Sequence, residues 1–364
     1  MNRVLFLSGS TGVLGRELVK EILKTTNDKI YLLIRRKYIH SHWDRARKIL
    51  AEQGLEIYLG TRVQVFEGDV TLPGFGLKDY ELARLKKEVT DFFHVAALTT
   101  LNAPEQDCQR VNVEGTKTAL EIAWQLRDDG MLKRFVYFST AFVSGSLQTY
   151  CAKEDELTST PGFANFYESS KYQAETLIRQ AMAKGLPVTI LRPSIVVGDS
   201  ETGEVGEFNV IYPFIKMFAH GIIKRLPTKP ENAFNIVPID FVIKASVYIS
   251  GKEESIGKTY HLVTQEAPTI GMMIQMKEME FPQFSPVEIV PIEGFEKGKL
   301  DAMEQVVYEM MEPYFGYLNE HLTFDTTNTQ AILKDSEISF PKTDYHFLKT
   351  LCQYAIDQGY LILN

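Results

Sequence analysis

The chain has 364 residues, 45% apolar and 24% charged, proportions that exclude a disordered, collagen-like or disulfide-stapled chain. At about 100–200 residues per domain, that length suits one large domain with a second lobe, or two domains sharing a cleft. Lys plus Arg number 39 against 47 Asp plus Glu, a formal charge of −8, which argues against nucleic acid or a polybasic membrane surface as partner.

The amino terminus, MNRVLFLSGSTG, holds one basic residue and an apolar run broken at Ser8 and Gly9. It is too short for a signal-peptide core or a membrane span and reads as a first strand. No later stretch reaches about 18 uninterrupted apolar residues, so a soluble, cytoplasmic protein without an integral membrane segment is expected. Cys108, Cys151 and Cys352 stand far apart with no C-x-x-C spacing. Neither a disulfide framework nor a zinc ribbon follows, and a reducing compartment fits.

Strand-like runs then alternate with helical periodicity: VLFLSG, a helix from Val13, IYLLIR, a helix around Trp43 to Ala51, RVQVFEGDV, DFFHVAA, a helix around Gln106 to Leu126, and RFVYFSTAFV. A polar loop (Ser144 to Gly162), a helix from Phe166 to Ala183 and the strand VTILRPSIVVG complete this part. Strands apolar on both faces predict a parallel sheet covered by helices, a doubly wound α/β unit over residues 1–198. Beyond it come an apolar helix candidate from Phe208 to Ile223, a Pro-rich turn, the return segment IVPIDFVIKASVYIS and the strand KTYHLVT. Residues about 236–264 are expected to rejoin the first unit. The rest of 199–364 is expected to form a smaller lobe over the sheet edge where open α/β sheets bind ligands.

Gly9-Ser10-Thr11-Gly12-Val13-Leu14-Gly15 follows the first strand and opens a helix. A tight turn, close backbone approach to a pyrophosphate and close packing of helix on strand each need a residue without a side chain, and the helix N-terminus offers N–H groups to phosphate. After the second strand, where a carboxylate would hold the ribose of NAD, stand Arg35, Arg36 and Lys37. Guanidinium groups suit a 2′-phosphate, so NADPH is favoured over NADH. Asp69, in GDVT, is placed for the adenine amino group or for a helix cap.

Tyr167-Glu168-Ser169-Ser170-Lys171 puts a phenol and an ammonium at i and i+4 on one helix face. A free phenol with a pKa of about 10 is a poor acid–base catalyst at neutral pH, and a nearby Lys⁺ stabilises the phenolate. Ser139 and Thr140, at the end of the preceding strand, supply a hydroxyl for a carbonyl oxygen.

In this order the glycine pattern, GDVT, HVAA (His94 to Ala97), NVEGT, STAFVSG and YESSK resemble the extended short-chain dehydrogenase/reductases over nearly the whole chain. The resemblance implies a Rossmann-type doubly wound parallel sheet with a smaller C-terminal substrate lobe. It assigns Thr140 as the catalytic hydroxyl, Tyr167 as the acid–base group, and Lys171 as its partner and the holder of the nicotinamide ribose. Asn112 would support the local hydrogen-bond network, and Val70, Ala96, Ala97, Ser139, Pro193 and Ile195 would line the cofactor. LRPSIVVGDSETGE, IVPIDFV and FDTTNT are similar to the branch of fatty acyl-CoA reductases and of the thioester-reductase domains of carboxylic acid reductases and nonribosomal peptide synthetases. That branch implies NADPH-dependent reduction of an acyl thioester to aldehyde, and onward to alcohol in some members. No adenylation or carrier domain is visible in the sequence, so the thioester is expected to arrive from outside, on coenzyme A or an acyl-carrier protein.

Two other readings stay open: reduction or epimerisation of a ketone, sterol or sugar nucleotide by the same triad, and an NADP(H) sensor without turnover. His40 and His42 form an HxH with no third ligand in view, so no metal site is expected. The apolar stretch from Phe208 is open to burial, to a lid over an acyl tunnel or to membrane contact. Lys224 and Arg225 at its end could meet a pantetheine phosphate or complement a helix dipole.

Overall fold

The computed structural model describes residues 3–145, 150–158, 162–209, 211–293, 295–319 and 322–362. The amino-terminal half runs β1 (Val4–Ser8), α1 (Val13–Thr25), β2 (Lys29–Ile34), α2 (His42–Ala51), β3 (Val63–Glu67), α3 (Asp79–Glu88), β4 (Asp91–His94), α4 (Glu105–Cys108), α5 (Gly115–Asp128) and β5 (Arg134–Phe138). Next come β6 (Tyr150–Ala152), α6 (Phe166–Ala183), β7 (Val188–Pro193), β8 (Ile195–Val197), α7 (Ile211–Ala219), β9 (Arg225–Pro227), β10 (Ile236–Pro238), α8 (Ile239–Ser250) and β11 (Lys258–Leu262). The chain then passes through α9 (Ile270–Glu280), β12 (Glu288–Val290), α10 (Ala302–Asn319), β13 (Leu322–Phe324), α11 (Thr327–Leu333) and α12 (Tyr345–Asp357).

Seven strands form one parallel sheet in the order β11-β7-β5-β4-β1-β2-β3. This is the predicted doubly wound sheet, and its order reverses between β1 and β4, the crevice in which such sheets bind ligands. Successive side chains leave a strand on opposite faces, so β1, β2, β4, β5 and β7 each feed two cores. Leu5 and Leu7 of β1 pack with Leu18 and Ile22 of α1 and Val242 and Ile249 of α8, whereas Phe6 between them packs with Leu85 of α3, Ile122 of α5 and Ile178 of α6. Both faces are thereby covered, which is why these strands carry no polar alternation.

A third core, built from β8, α7, β10, α9 and α12, includes Val197, Tyr212, Ile236, Met276 and Leu351. It sits beyond the carboxyl ends of the strands. Short parallel pairs, β8 with β10, β9 with β12 and β6 with β13, tie this region together. Among the described residues no helix is long and apolar enough to cross a membrane.

Two helices depart from the periodicity. The one expected around Gln106 to Leu126 is broken by a π-helical turn, Gln109–Glu114, between α4 and α5, the kind of insertion that recurs at functional sites. The apolar helix expected to reach Ile223 ends at Ala219, because Gly221 (φ +68°) takes a left-handed conformation. The Ile222 amide then donates to the Met217 carbonyl at 2.9 Å and the Gly221 amide to that of Phe218 at 3.0 Å, closing the helix as a Schellman motif. Lys224 and Arg225 therefore lie past the helix end. Arg225 opens β9 and pairs with Glu304 at 2.9 Å.

Candidate active site

A cleft of about 540 Å³ runs along the carboxyl ends of β1, β2, β4, β5 and β7. At its centre Gly9 has φ +84°, and a Cβ there would stand 2.5 Å from the Ala96 amide nitrogen. A Cβ on Gly15 would collide with the Gly9 carbonyl oxygen. Gly12 caps α1 with no side-chain acceptor and no acidic residue follows in the first turn, which leaves the first-turn N–H groups suited to an anion in the cleft. The buried Ser10 hydroxyl has no partner among the described residues. This turn fits the pyrophosphate of a dinucleotide, as do Thr11, Val13 and Leu14, which line the cleft beside it.

At one end the lining includes Arg35, Lys37, Asp69 and Val70. Arg35 stands 3.7 Å from one Asp69 oxygen, while the other accepts from the Thr71 amide and hydroxyl, both at 2.9 Å. Arg36 does not line the cleft; its guanidinium turns to Glu67 at 3.8 Å. A second guanidinium comes from Arg45 of α2, which donates to the Arg35 carbonyl at 2.5 Å and to Thr11 Oγ1 at 3.1 Å. Burial and the neighbouring Arg35 charge lower the pKa of Arg45. The sequence reading missed Arg45. Its local signal is Ser41 and Asp44, which form a capping box that sets where α2 begins and so where Arg45 points. His42 pairs with Glu67 at 2.9 Å, and Lys37 and His40 bridge each other.

At the other end, Ala96, Ala97, Ser139, Thr140, Tyr167, Lys171, Pro193 and Ile195 converge on the cleft. Asn165 caps α6 by accepting from the Glu168 amide at 3.0 Å, which places Tyr167 in the first turn and Lys171 one turn below it. Burial holds the Tyr167 phenol well above its usual pKa, with the nearby Thr140 hydroxyl acting in the opposite direction. The buried Lys171 donates to the Tyr137 hydroxyl at 2.8 Å and the Phe138 carbonyl at 2.6 Å. Desolvation brings its pKa down to about 7, with Glu175 acting in the opposite direction. Asn112 lies behind the cleft, within the π-helical turn. It accepts from the Leu98 amide at 2.7 Å and donates to the Leu98 carbonyl at 3.0 Å and to Ser170 Oγ at 2.9 Å, fastening the loop after β4 to α6. Ser194, absent from the sequence reading, lines the cleft with a buried hydroxyl that has no partner among the described residues.

A separate apolar cavity of about 120 Å³ lies within the third core, lined among others by Tyr212, Ile215, Phe218, Met273, Leu318 and Cys352. It is one layer of side chains from the cleft. Ile195 lines the cleft and its strand partner Ile236 the cavity, and likewise Tyr317 and its neighbour Leu318. Phe214 is on the same helix, its side chain outside the described residues. Burial pushes the Cys352 thiol up to about 12, so it serves as an apolar wall and not as a nucleophile.

Comparison with known proteins decides the family: residues 7–246 match the male sterility protein family. The chain belongs to that family. The fatty acyl-CoA reductase wat of Drosophila melanogaster is 27% identical over 66% of this chain and 52% of its own length. The nonribosomal peptide synthetase asaC of Aspergillus flavus is 29% identical over 72% of this chain and 26% of its own length. The chain thus spans about a quarter to a half of these curated relatives. Among solved structures, the terminal R domain from the myxalamid PKS-NRPS biosynthetic pathway superposes with a TM-score of 0.85 at 28% identity, covering 99% of this chain and 92% of that one. The fold is that of an extended short-chain dehydrogenase/reductase, and the protein takes a nicotinamide cofactor.

Proposed function

We propose that this member of the family is an NADPH-dependent reductase that takes an acyl thioester, carried by coenzyme A or an acyl-carrier protein, to an aldehyde and a free thiol. The observation that carries the reading is the convergence of Thr140, Tyr167 and the buried Lys171 on one end of the cleft. The similarity to a fatty acyl-CoA reductase and to an R domain supports the thioester as substrate.

When bound, the reduced nicotinamide supplies a hydride. The residues do the rest. Thr140 and Tyr167 hold the thioester carbonyl oxygen and stabilise the negative charge that develops on it, and the high pKa of Tyr167 keeps its proton available for that oxygen. Lys171 in its ammonium form offers N–H donors to ribose hydroxyls and favours the phenolate once Tyr167 has given up its proton. Collapse of the hemithioacetal expels the thiol and leaves the aldehyde. The apolar cavity beside α7 would take the far end of the acyl chain, leaving the sulfur directed to solvent, where a pantetheine arm enters.

Arg35 and Arg45 are the pair suited to a 2′-phosphate, since both line the cleft and Arg45 bonds both the Arg35 carbonyl and Thr11. Arg35→Ala and Arg45→Ala should each weaken NADPH roughly ten- to a hundredfold while sparing NADH, the worth of about 1.5–3 kcal/mol for a charge-assisted contact. Arg36→Ala should leave the ratio near wild type. Dissociation constants for both cofactors test this, and equal losses for the two would remove the argument for NADPH.

The substrate is tested by following NADPH oxidation and thiol release together on thioesters of graded chain length. Stoichiometric thiol and aldehyde support the reading; NADPH oxidation with ketones or sugar nucleotides, and no thiol release from any thioester, overturns it. Phe218→Glu should lower kcat/KM for long chains at least tenfold more than for short ones, because each buried CH₂ contributes about 0.8 kcal/mol. A uniform loss would mean that Phe218 only packs the lobe.

A further inference from the structure

Glu175 is fully buried on α6 and does not line the cleft. It follows Lys171 by one helical turn and Tyr167 by two, so the three share one face. One of its oxygens accepts from Ser139 Oγ at 2.6 Å and from Arg192 Nε at 3.0 Å. The other accepts from Arg192 Nη2 at 2.6 Å and Arg179 Nε at 2.8 Å. Ser139 immediately precedes Thr140. Arg192 immediately precedes Pro193, whose carbonyl accepts from Thr140 Oγ1 at 3.4 Å. One carboxylate therefore ties the end of β5, the catalytic face of α6 and the end of β7, the three segments whose register sets where the acid–base groups stand.

The charges around it are arranged to keep it ionised. Against the upward push of burial, the Arg192 guanidinium brings the Glu175 carboxyl down to about 2, helped by Arg179 and Ser139. Arg192 also reaches His261 Nε2 of β11 at 3.2 Å. His261 donates Nδ1–H to the Asp325 carbonyl at 2.7 Å and stays neutral, since burial and the Arg192 charge hold its pKa at about 3. Glu154 lies on the far side of His261, accepting its backbone N–H at 2.9 Å. Tyr137 of β5, whose phenol burial and Glu175 push up, and Lys171 itself are further neighbours, and His94 of β4 faces Lys171, kept neutral by burial and by that charge. Glu175 is the anion that acts on Lys171.

We propose that Glu175 is a positioning residue of the proton-transfer apparatus: its carboxylate, bonded to Ser139, Arg179 and Arg192, holds Thr140, Tyr167 and Lys171 in mutual register. This rests on the reading that Tyr167 and Lys171 carry the proton step. A buried ion cluster kept for stability alone would need neither the link to Ser139 nor a place beside Lys171.

The test compares wild type, Glu175→Gln and Arg179→Gln. NADPH dissociation constants are measured without thioester over roughly pH 5.5 to 9, together with kcat and KM at each pH. In wild type, NADPH binding should weaken as pH rises past about 7, where Lys171 loses its proton. Removing the anion in Glu175→Gln should move that midpoint down by about one pH unit and lower kcat tenfold or more, with the thioester KM little changed. Arg179→Gln removes a cation instead, and its midpoint should move up. Opposite displacements are something a purely structural cluster would not produce. A folded Glu175→Gln with the wild-type midpoint and kcat overturns the proposal. If that variant does not fold, Arg179→Gln decides alone, an unmoved midpoint counting against. A wild-type protein that consumes no NADPH with any thioester defeats the reading of function, while the binding midpoints still decide the role of Glu175.

Discussion

Replacing Tyr167 by phenylalanine should cut turnover by about 10²–10⁴-fold, the usual contribution of a positioned acid–base group, while NADPH still binds. On the proposed reading the phenol stands beside Thr140 at the nicotinamide end, whereas the turn from Gly9 to Gly15, Arg35 and Arg45 line the rest of the cleft and hold the dinucleotide. Phenylalanine keeps the ring, so the packing of Tyr167 against the third core is retained. Stopped-flow turnover and fluorescence titration of NADPH separate the two effects. Near-normal turnover would show that the phenol on this helix is incidental. Lys171→Ala should behave otherwise, weakening binding and turnover together, because the proposed role of its ammonium covers the ribose as well as Tyr167.

Gly9→Ala should abolish measurable cofactor binding and lower the melting temperature. At φ +84° any L side chain is strained by about 1–3 kcal/mol. A Cβ would also stand 2.5 Å from the Ala96 nitrogen and 2.7 Å from its Cα, backbone atoms that cannot rotate aside. Either the turn withdraws from β4 and loses its phosphate-facing amides, or β4 shifts and carries Ala96 and Ala97 with it. Gly60→Ala is the control. Its φ is +83° but a Cβ there meets nothing within 4 Å, so that variant should show the strain as a modest loss of stability with NADPH affinity unchanged. Equal behaviour of the two variants would mean that conformational strain, not the close approach to Ala96, accounts for the glycine at position 9.

Where a feature depends on residues near one another in the chain, the sequence determines it. Strands apolar on both faces specify a buried parallel sheet, because every strand must feed two cores, and β1, β2, β4, β5 and β7 do so. The bounds of α6, Phe166–Ala183, agree with its periodicity and with the Asn165 cap. The common face of Tyr167 and Lys171 is a property of the helix itself. Gly9, Gly12 and Gly15 announce their turn for the same reason: the constraint lies within a few residues.

Only the tertiary structure decides matters that join distant segments. Arg35 and Arg36 are adjacent on one turn, yet one faces the cleft and the other turns to Glu67. The second guanidinium comes from Arg45, through the way α2 packs against β2 and β3. The π-helical turn that positions Asn112 follows from bonds to Leu98 and Ser170, which helical periodicity does not encode. Ser139, Glu175 and Arg192 lie on three elements and become one buried cluster only when β5, α6 and β7 come together. A hydrophobic pattern records which face of an element is turned inward. It does not record which charged group arrives from another element, because that depends on packing angles and helix lengths set by the whole core.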